Sequence, residues 1–370
     1  MKVMVVGNIA QSLVNFRGPL LRAMVMKGHD VLAVGPEDDP RYTKALHDLG
    51  VEYRAVPLRR ASFNPIADLR FMLALLRLMR DERPDVFLGY TIKPVIYGNI
   101  AARLARVPSR NALITGLGYA FGTSNLKQRT VGWFIHLLYR LSLAGINIVF
   151  FQNPDDRSEF LRLRFVAPSH AALVAGSGVD LSHFIPSDPP PPPPVFLLIA
   201  RLIREKGVGE FVAAASALKP RYPGARFQLL GPLDANPSAV TPAEVATWQT
   251  SGIIEYLGET DDVRPYLRAA TVFVLPSFYR EGTPRTALEA LATGRPVVTT
   301  DAPGCRETVT DGVNGFLIRP RDAGSLTDAL ERFLLDPELA AQMGRASLEL
   351  ARTKFDVQLV NRQMLENLEL

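Results

Sequence analysis

Glu281 and Glu289 stand with seven residues between them, Gly-Thr-Pro-Arg-Thr-Ala-Leu, and that interval is composed like the start of a helix. Thr283 is a natural N-cap, and Pro284 suits the first helical position, where a missing N–H removes no bond. Arg285 and Thr286 then fall in the first turn, whose amides have no partner inside the helix and whose dipole favours an anion. Glu289 lies about 7.5 Å further along the axis at 1.5 Å per residue. Gly294 is a plausible C′ stop for this helix. A carboxylate, a phosphate cradle and a second carboxylate match a nucleotide diphosphate sugar, because carboxylates accept paired hydrogen bonds from vicinal hydroxyls. Taken singly, either glutamate is no more than a surface charge.

Cations come from a second place. Ala200-Arg201-Leu-Ile-Arg-Glu-Lys206-Gly207 follows the apolar run 195–200 directly. Arg201 and Lys206 there can hold a diphosphate and stabilise the charge that gathers on it as a glycosidic bond breaks. The run 271–276 before Glu281 is apolar after Thr271, as in a central parallel strand covered on both faces. Both charged segments therefore sit at carboxyl ends of strands, where open α/β sheets take ligands.

Other reactive groups are sparse. Histidines 29, 47, 136, 170 and 183 have no ligand spacing, and Asp38-Asp39, Asp155-Asp156 and Asp261-Asp262 are loop or helix-start pairs. No metal is expected. Cys305, in Pro303-Gly-Cys-Arg-Glu307, reads as a small residue in a tight loop near the nucleotide, and as the single cysteine it excludes an internal disulfide.

The elements that must position these residues alternate along the chain. The first half reads as strands 2–6, 30–34, 52–56, 85–90, 111–115 and 146–151, with helices 19–28, 41–49, 64–80, 94–105 and 127–143. The second half reads as strands 195–200, 226–230, 253–257, 271–275 and 296–300, with helices 208–219, 262–269, 284–293 and from 324 onward. This is the pattern of two doubly wound α/β domains, as the 370-residue length also suggests. The boundaries are 1–180 for a first Rossmann-like domain, 181–194 for a linker, 195–350 for a second, and 351–370 for a helix returning to the first. Pro189–Pro194 should form a polyproline II spacer of about 19 Å.

Residues 1–180 hold 23 Lys and Arg against 14 Asp and Glu, a net of +9, whereas the remainder is net −4. Either the first domain faces something anionic or these arginines serve solubility. No nucleic-acid-binding module is recognisable, so no nucleic acid partner is expected. Helix 64–80, with Asn64 as cap, sets Arg70, Arg77 and Arg80 beside Phe71, Met72, Leu75, Leu76 and Met79. Segment 127–140 combines Lys127, Arg129 and Arg140 with Trp133 and Phe134. Both suit a membrane interface, although a crossover helix needs an apolar face in any case. The N-terminus lacks a signal peptide and no run could span a bilayer, so a cytoplasmic enzyme peripheral to the inner membrane face is expected.

With Asn314-Gly315 and Gly178-Val-Asp180 before Phe184-Ile-Pro186, these motifs resemble the family-4 retaining glycosyltransferases of the GT-B fold, two Rossmann-like domains facing each other across a cleft. Lys93-Pro-Val-Ile-Tyr-Gly-Asn, Ile114-Thr-Gly-Leu-Gly-Tyr-Ala-Phe121 and Asp234-Ala-Asn-Pro237 resemble the branch that builds lipid-linked glycans. The resemblance implies that Glu281 binds the donor sugar and Glu289 the ribose. Arg201 and Lys206 would hold the pyrophosphate, with Gly282, Thr283, Pro284, Arg285 and Thr286 completing the cradle. It implies a UDP-sugar co-substrate without a cofactor, a lipid-linked saccharide acceptor, and transfer of a hexose or N-acetylhexosamine. The histidine common in relatives is replaced by Thr115-Gly-Leu-Gly118, so no catalytic histidine is assigned. Gly7, Asn8, Phe16, Arg17 and Lys93 are acceptor-side candidates. A nucleotide-sugar 2-epimerase of the same fold is the main rival, and an NAD-dependent oxidoreductase, kept open by Glu37, lacks the glycine fingerprint.

Overall fold

The computed structural model describes residues 1–36, 39–58, 64–117, 126–234, 236 and 238–370, and of residues 126–131 and 133 the backbone alone. Glu37, Asp38, Gly118–Phe121, Ala235, Pro237 and the side chains of Lys127, Arg129 and Trp133, all cited above, lie outside the described set. Two compact units emerge, Met1–Ser177 with Gln358–Leu370, and Gly178–Val357.

In the first unit, strands β1 (Lys2–Val6), β2 (Asp30–Gly35), β3 (Glu52–Ala55), β4 (Val86–Tyr90), β5 (Ser109–Ile114), β6 (Ile148–Phe151) and β7 (Ala171–Leu173) form one sheet. Its order is β3-β2-β1-β4-β5-β6-β7, and each neighbouring pair is parallel. Helices α1 (Ala10–Met26), α2 (Pro40–Asp48), α3 (Pro65–Glu82), α4 (Asn99–Ala105), α5 (Leu126–Ser142) and α6 (Pro154–Arg162) connect the strands. Val3 and Val5 pack on one face with α1 and α2, while Met4 and Val6 pack on the other with α3 and α4. Strands covered on both faces need unbroken apolar runs, which is why β1 and β4 were legible.

The second unit holds β8 (Val195–Ile199), β9 (Arg226–Leu230), β10 (Glu255–Tyr256), β11 (Val272–Leu275), β12 (Val297–Thr300) and β13 (Gly315–Ile318), in the parallel order β10-β9-β8-β11-β12-β13. Its helices are α7 (Val208–Leu218), α8 (Pro242–Thr250), α9 (Arg264–Ala269), α10 (Arg285–Ala292), α11 (Ala323–Leu335) and α12 (Glu338–Leu350), and α13 (Val357–Leu368) ends the chain. Val360, Met364 and Leu365 of α13 join the core of β1 and α1 in the first unit.

Three differences from the sequence reading have physical causes. First, α1 begins at Ala10 rather than 19 and carries Pro19 inside it. Leu13, Leu20, Leu21 and Met24, buried at helical spacing, offset the penalty of about 3 kcal/mol for an internal proline. Second, the segment expected as linker from 181 belongs to the second unit. The fully buried Arg295 donates to the carbonyls of Ser187 (2.9 Å), Asp188 (3.1 Å) and Leu267 (2.8 Å), fastening the chain just before the prolines. Burial lowers its pKa to about 10, so it remains a cation at neutral pH. Third, α6, α8, β7 and β13 went unpredicted, although α8 opens on a full capping box of Thr241 and Glu244 with Pro242.

Candidate active site

In the second unit the strand order reverses between β8 and β11, leaving a crevice at their carboxyl ends. After β8 the chain makes a tight turn at Arg204–Lys206, closed by Gly207 at φ +77. A Cβ on Gly207 would lie 2.1 Å from the Pro276 carbonyl oxygen, so only glycine lets this turn rest on the end of β11. The Phe278 and Tyr279 amides then donate to the Glu205 carbonyl at 2.9 and 3.1 Å. Two loops 70 residues apart in sequence are thus laced into one wall.

Lys206 and Glu281 meet on that wall. Lys206 Nζ donates to Glu281 Oε1, and the two side chains are only 14% and 13% exposed. Ser277 Oγ lies 3.0 Å from the same oxygen, and the ammonium is 5.7 Å from the Tyr279 ring centroid. From below, Gly304 at φ +79 presses on the Glu281–Gly282 backbone, where a Cβ would meet the Gly282 carbonyl at 2.0 Å. Cys305 beside it is buried, and burial pushes its thiol up to about 12, which removes the thiolate a nucleophile needs.

The helix carrying Glu289 starts one residue later than its sequence suggests. Pro284, extended at φ −63 and ψ 116, takes the N-cap position in place of Thr283, and no side chain caps the helix. Proline at N-cap and threonine before it leave Arg285 and Thr286 in the first turn as expected, so the anion-favouring end is preserved. At the far end, Gly294 at φ +78 donates to Leu291 O and Arg295 to Ala290 O, a Schellman stop. Glu289 is 7% exposed and accepts from Arg285 Nε at 2.8 Å. Burial raises its pKa and the Arg285 guanidinium opposes the rise. Arg201 Nη1 reaches Asp234 Oδ2 at 2.8 Å, with 42% of the arginine side chain exposed. The site is therefore charge-matched from within, Lys206 with Glu281, Arg201 with Asp234 and Arg285 with Glu289. A diphosphate can displace the three carboxylates from their cations, which turns those carboxylates toward hydroxyls.

Sequence reading assigned no role to Ser277, Tyr279 or Asp234. Ser277 and Tyr279 could have been found as the first polar groups beyond a buried strand. Asp234 is likewise the first polar side chain beyond β9, but its pairing with Arg201 forms across loops.

The acceptor-side candidates divide. The first unit's strand order also reverses, between β1 and β4. There a Cβ on Gly7 would meet the Tyr90 hydroxyl at 2.3 Å. That hydroxyl is 2.7 Å from Ser12 Oγ, and burial lifts its pKa to about 12. Arg17, itself buried on α1, sets its guanidinium 5.2 Å from the Tyr90 ring centroid. Asn8 is half-buried beside Gly7, and Phe16 is 41% exposed. Lys93 departs from expectation: its ammonium is buried against Asp68 of α3 at 2.7 Å, where it neutralises a carboxylate that would otherwise be costly to bury.

On α3 the sheet-facing side follows the crossover-helix alternative. Phe71, Leu75, Leu76 and Met79 face the sheet and belong to the core, so any contact of α3 with a membrane falls to its other side. Among the described residues no helix is long and apolar enough to cross a membrane, and no three His, Cys, Asp or Glu side chains gather as a metal site requires.

Residues 193–336 match the family Glycosyl transferases group 1, and residues 17–177 match the Glycosyl transferase 4-like domain. The N,N'-diacetylbacillosaminyl-diphospho-undecaprenol alpha-1,3-N-acetylgalactosaminyltransferase of Campylobacter jejuni is 28% identical, over 99% of this chain and 98% of that protein. The UDP-Gal:alpha-D-GlcNAc-diphosphoundecaprenol alpha-1,3-galactosyltransferase of Escherichia coli is 27% identical, over 77% of this chain and 75% of that protein. Anabaena HepE, solved with UDP and glucose, superposes with a TM-score of 0.77 at 17% identity, covering 100% of this chain and 99% of that one. Both sequence relatives are transferases, and neither supports the epimerase.

Proposed function

Because the chain is a glycosyltransferase of the group 1, family-4-like class with the GT-B fold, we propose that it moves a hexose or N-acetylhexosamine from a UDP-sugar to a polyprenyl-diphosphate-linked saccharide. The acceptor class follows the two relatives, whose names specify diphospho-undecaprenol acceptors, and the nucleotide follows the UDP bound to HepE. One observation carries the donor half: Lys206 and Glu281 paired at the carboxyl ends of β8 and β11, beside the first turn of α10.

In the proposed reaction Lys206 and Arg201 take up the pyrophosphate, joined by the first-turn amides of α10. Glu281, released from Lys206, accepts from the sugar hydroxyls, and Glu289 from the ribose. The bond between the anomeric carbon and the β-phosphate oxygen breaks, and the acceptor hydroxyl forms the new bond on the same face. The acceptor proton passes to the leaving phosphate, whose added charge the two cations stabilise. Neither a metal nor a cofactor takes part. Gly7, Asn8, Phe16 and Arg17 line the acceptor side, and the enzyme works peripherally at the cytoplasmic membrane face, held there by its basic first unit.

A panel of UDP-sugars, assayed for hydrolysis and transfer with Glu281→Ala and Lys206→Ala alongside the parent, tests this reading. One donor should be preferred and both variants should lose its turnover. Equal turnover in parent and variants would refute the site.

A further inference from the structure

The two helical layers of the first unit differ in what they show to solvent. On α2 and α13 charges of both signs mix, as in the pairs Arg41–Asp39 and Lys44–Asp48 of α2 and its cap, while α1 beside them carries no carboxylate. The opposite layer, where α4 packs between α3 and α5, is one-sided. Ile66, Leu69 and Leu73 of α3, Leu104 of α4, and Phe134, Leu137 and Leu141 of α5 are all exposed, several by half or more. Spacings of three and four residues put the α3 and α5 sets each in a single stripe. Around them Arg70, Arg77, Arg80, Arg103, Arg106 and Arg140 are exposed, whereas Asp81 is the one exposed carboxylate on these helices among the described side chains. Between Asp85 and Asp155 the chain contains no acidic residue at all.

At the C-terminal end of α5 the layer opens into a cavity of about 570 Å³, walled by Leu143, Ile146 and Phe165 with Arg140, Arg164 and His170 at its edge. Behind it Arg110 donates through Nη2 to the Ala144 carbonyl at 3.2 Å, while its buried Nη1 has no acceptor. The cavity precedes β6 and β7, so it lies at the amino end of the sheet, remote from Gly7 and Tyr90 at the carboxyl end.

We propose that the α3–α4–α5 layer is a docking surface for an anionic bilayer, with the apolar stripes entering the headgroup region and the Arg140–Arg164 cavity seating a lipid phosphate. Protruding apolar side chains ringed by arginine, without compensating carboxylates, match the chemistry of such a surface. A protein partner would have to bring an acidic and apolar face of the same breadth. This inference rests on the peripheral-membrane reading above and names the face that performs it.

Co-sedimentation of the full chain with vesicles of phosphatidylcholine, with and without phosphatidylglycerol, provides the test. The parent should partition onto the anionic vesicles and be released by salt. Arg70→Glu, Arg77→Glu, Arg103→Glu and Arg140→Glu together should weaken partitioning by more than roughly a hundredfold, at roughly fivefold per arginine. Leu69→Ser with Leu73→Ser, Phe134→Ser with Leu137→Ser, and Arg164→Glu should each weaken it less. Arg41→Glu with Lys44→Glu, on the opposite layer, should leave it unchanged. UDP-sugar hydrolysis in detergent, far from this face, should stay at the parental rate in every variant. Partitioning that survives the four reversals would overturn this face while leaving peripheral binding intact. A parent that ignores anionic vesicles would overturn both.

Discussion

The carboxyl ends of the two sheets occupy equivalent positions in related folds, yet their chemistry diverges. In the second unit Lys206 and Arg201, at the strand-order reversal, each face a carboxylate, Glu281 and Asp234. In the first unit the corresponding cation, Arg17, faces an aromatic ring, and Lys93 is closed off by Asp68. A self-neutralised charged site is suited to a ligand that brings both anionic and hydroxyl groups, since it must satisfy each half of every pair it opens. Arg17 over Tyr90 instead sets a single buried charge against an aromatic ring. The same topology thus yields one end of paired charges and one with a single buried cation.

Breaking the charged end should have the largest effect. Lys206→Ala and Glu281→Ala are each expected to lower kcat for transfer by about 10²–10³, as does loss of one preorganised donor at a developing anion. Their double variant should be little worse than either single one, because the two side chains act as one unit. Steady-state kinetics on all three checks both statements. Next, Arg201→Ala should weaken donor binding about 10–100-fold, the range for a charge-assisted hydrogen bond. Asp234→Asn should instead tighten binding a few-fold, since a half-exposed pair is worth about 1 kcal/mol or less. Opposite signs in donor KM would sharpen the picture of Asp234 as a competitor for Arg201.

Smaller effects distinguish the other end. Arg17→Ala should raise the acceptor KM by about tenfold, in line with a desolvated cation–π contact, while donor hydrolysis is unchanged. Equal loss in both assays would erase the distinction between the two units. The smallest effect concerns Glu289, whose folded pKa is raised above the ordinary 4.5. Between those two values the folded state binds the extra proton, so stability falls as pH rises through this window and is fully restored below 4.5. Thermal melts of Glu289→Gln should therefore show a shallower fall with pH over that range than the parent.

Much of the charged end of the second unit was legible because its residues follow buried strands directly. Lys206 and Glu281 lie 75 residues apart, yet adjacent parallel strands bring their ends together whatever the separation. The helix start at Arg285 was displaced by one residue, since Thr-Pro scores well as cap and first position but the chain turns at Pro284. Less of the first unit could be read. Pro19 disguised the beginning of α1, which put Arg17 on a helix facing Tyr90 rather than in a loop. Lys93 carries a charge that only the three-dimensional approach of Asp68 accounts for. Hydrophobic period is a property of local sequence, whereas ion pairs formed across loops depend on packing that no window of residues contains.

The central claim is that donor recognition resides in the charged end of the second unit. Calorimetric titration of the preferred UDP-sugar into the parent, Lys206→Ala, Glu281→Ala and Arg17→Ala tests it most directly. The expected result is at least a tenfold loss of affinity in the first two variants and parental affinity in Arg17→Ala. Parental binding by Lys206→Ala and Glu281→Ala, or an equal loss in Arg17→Ala, would contradict it.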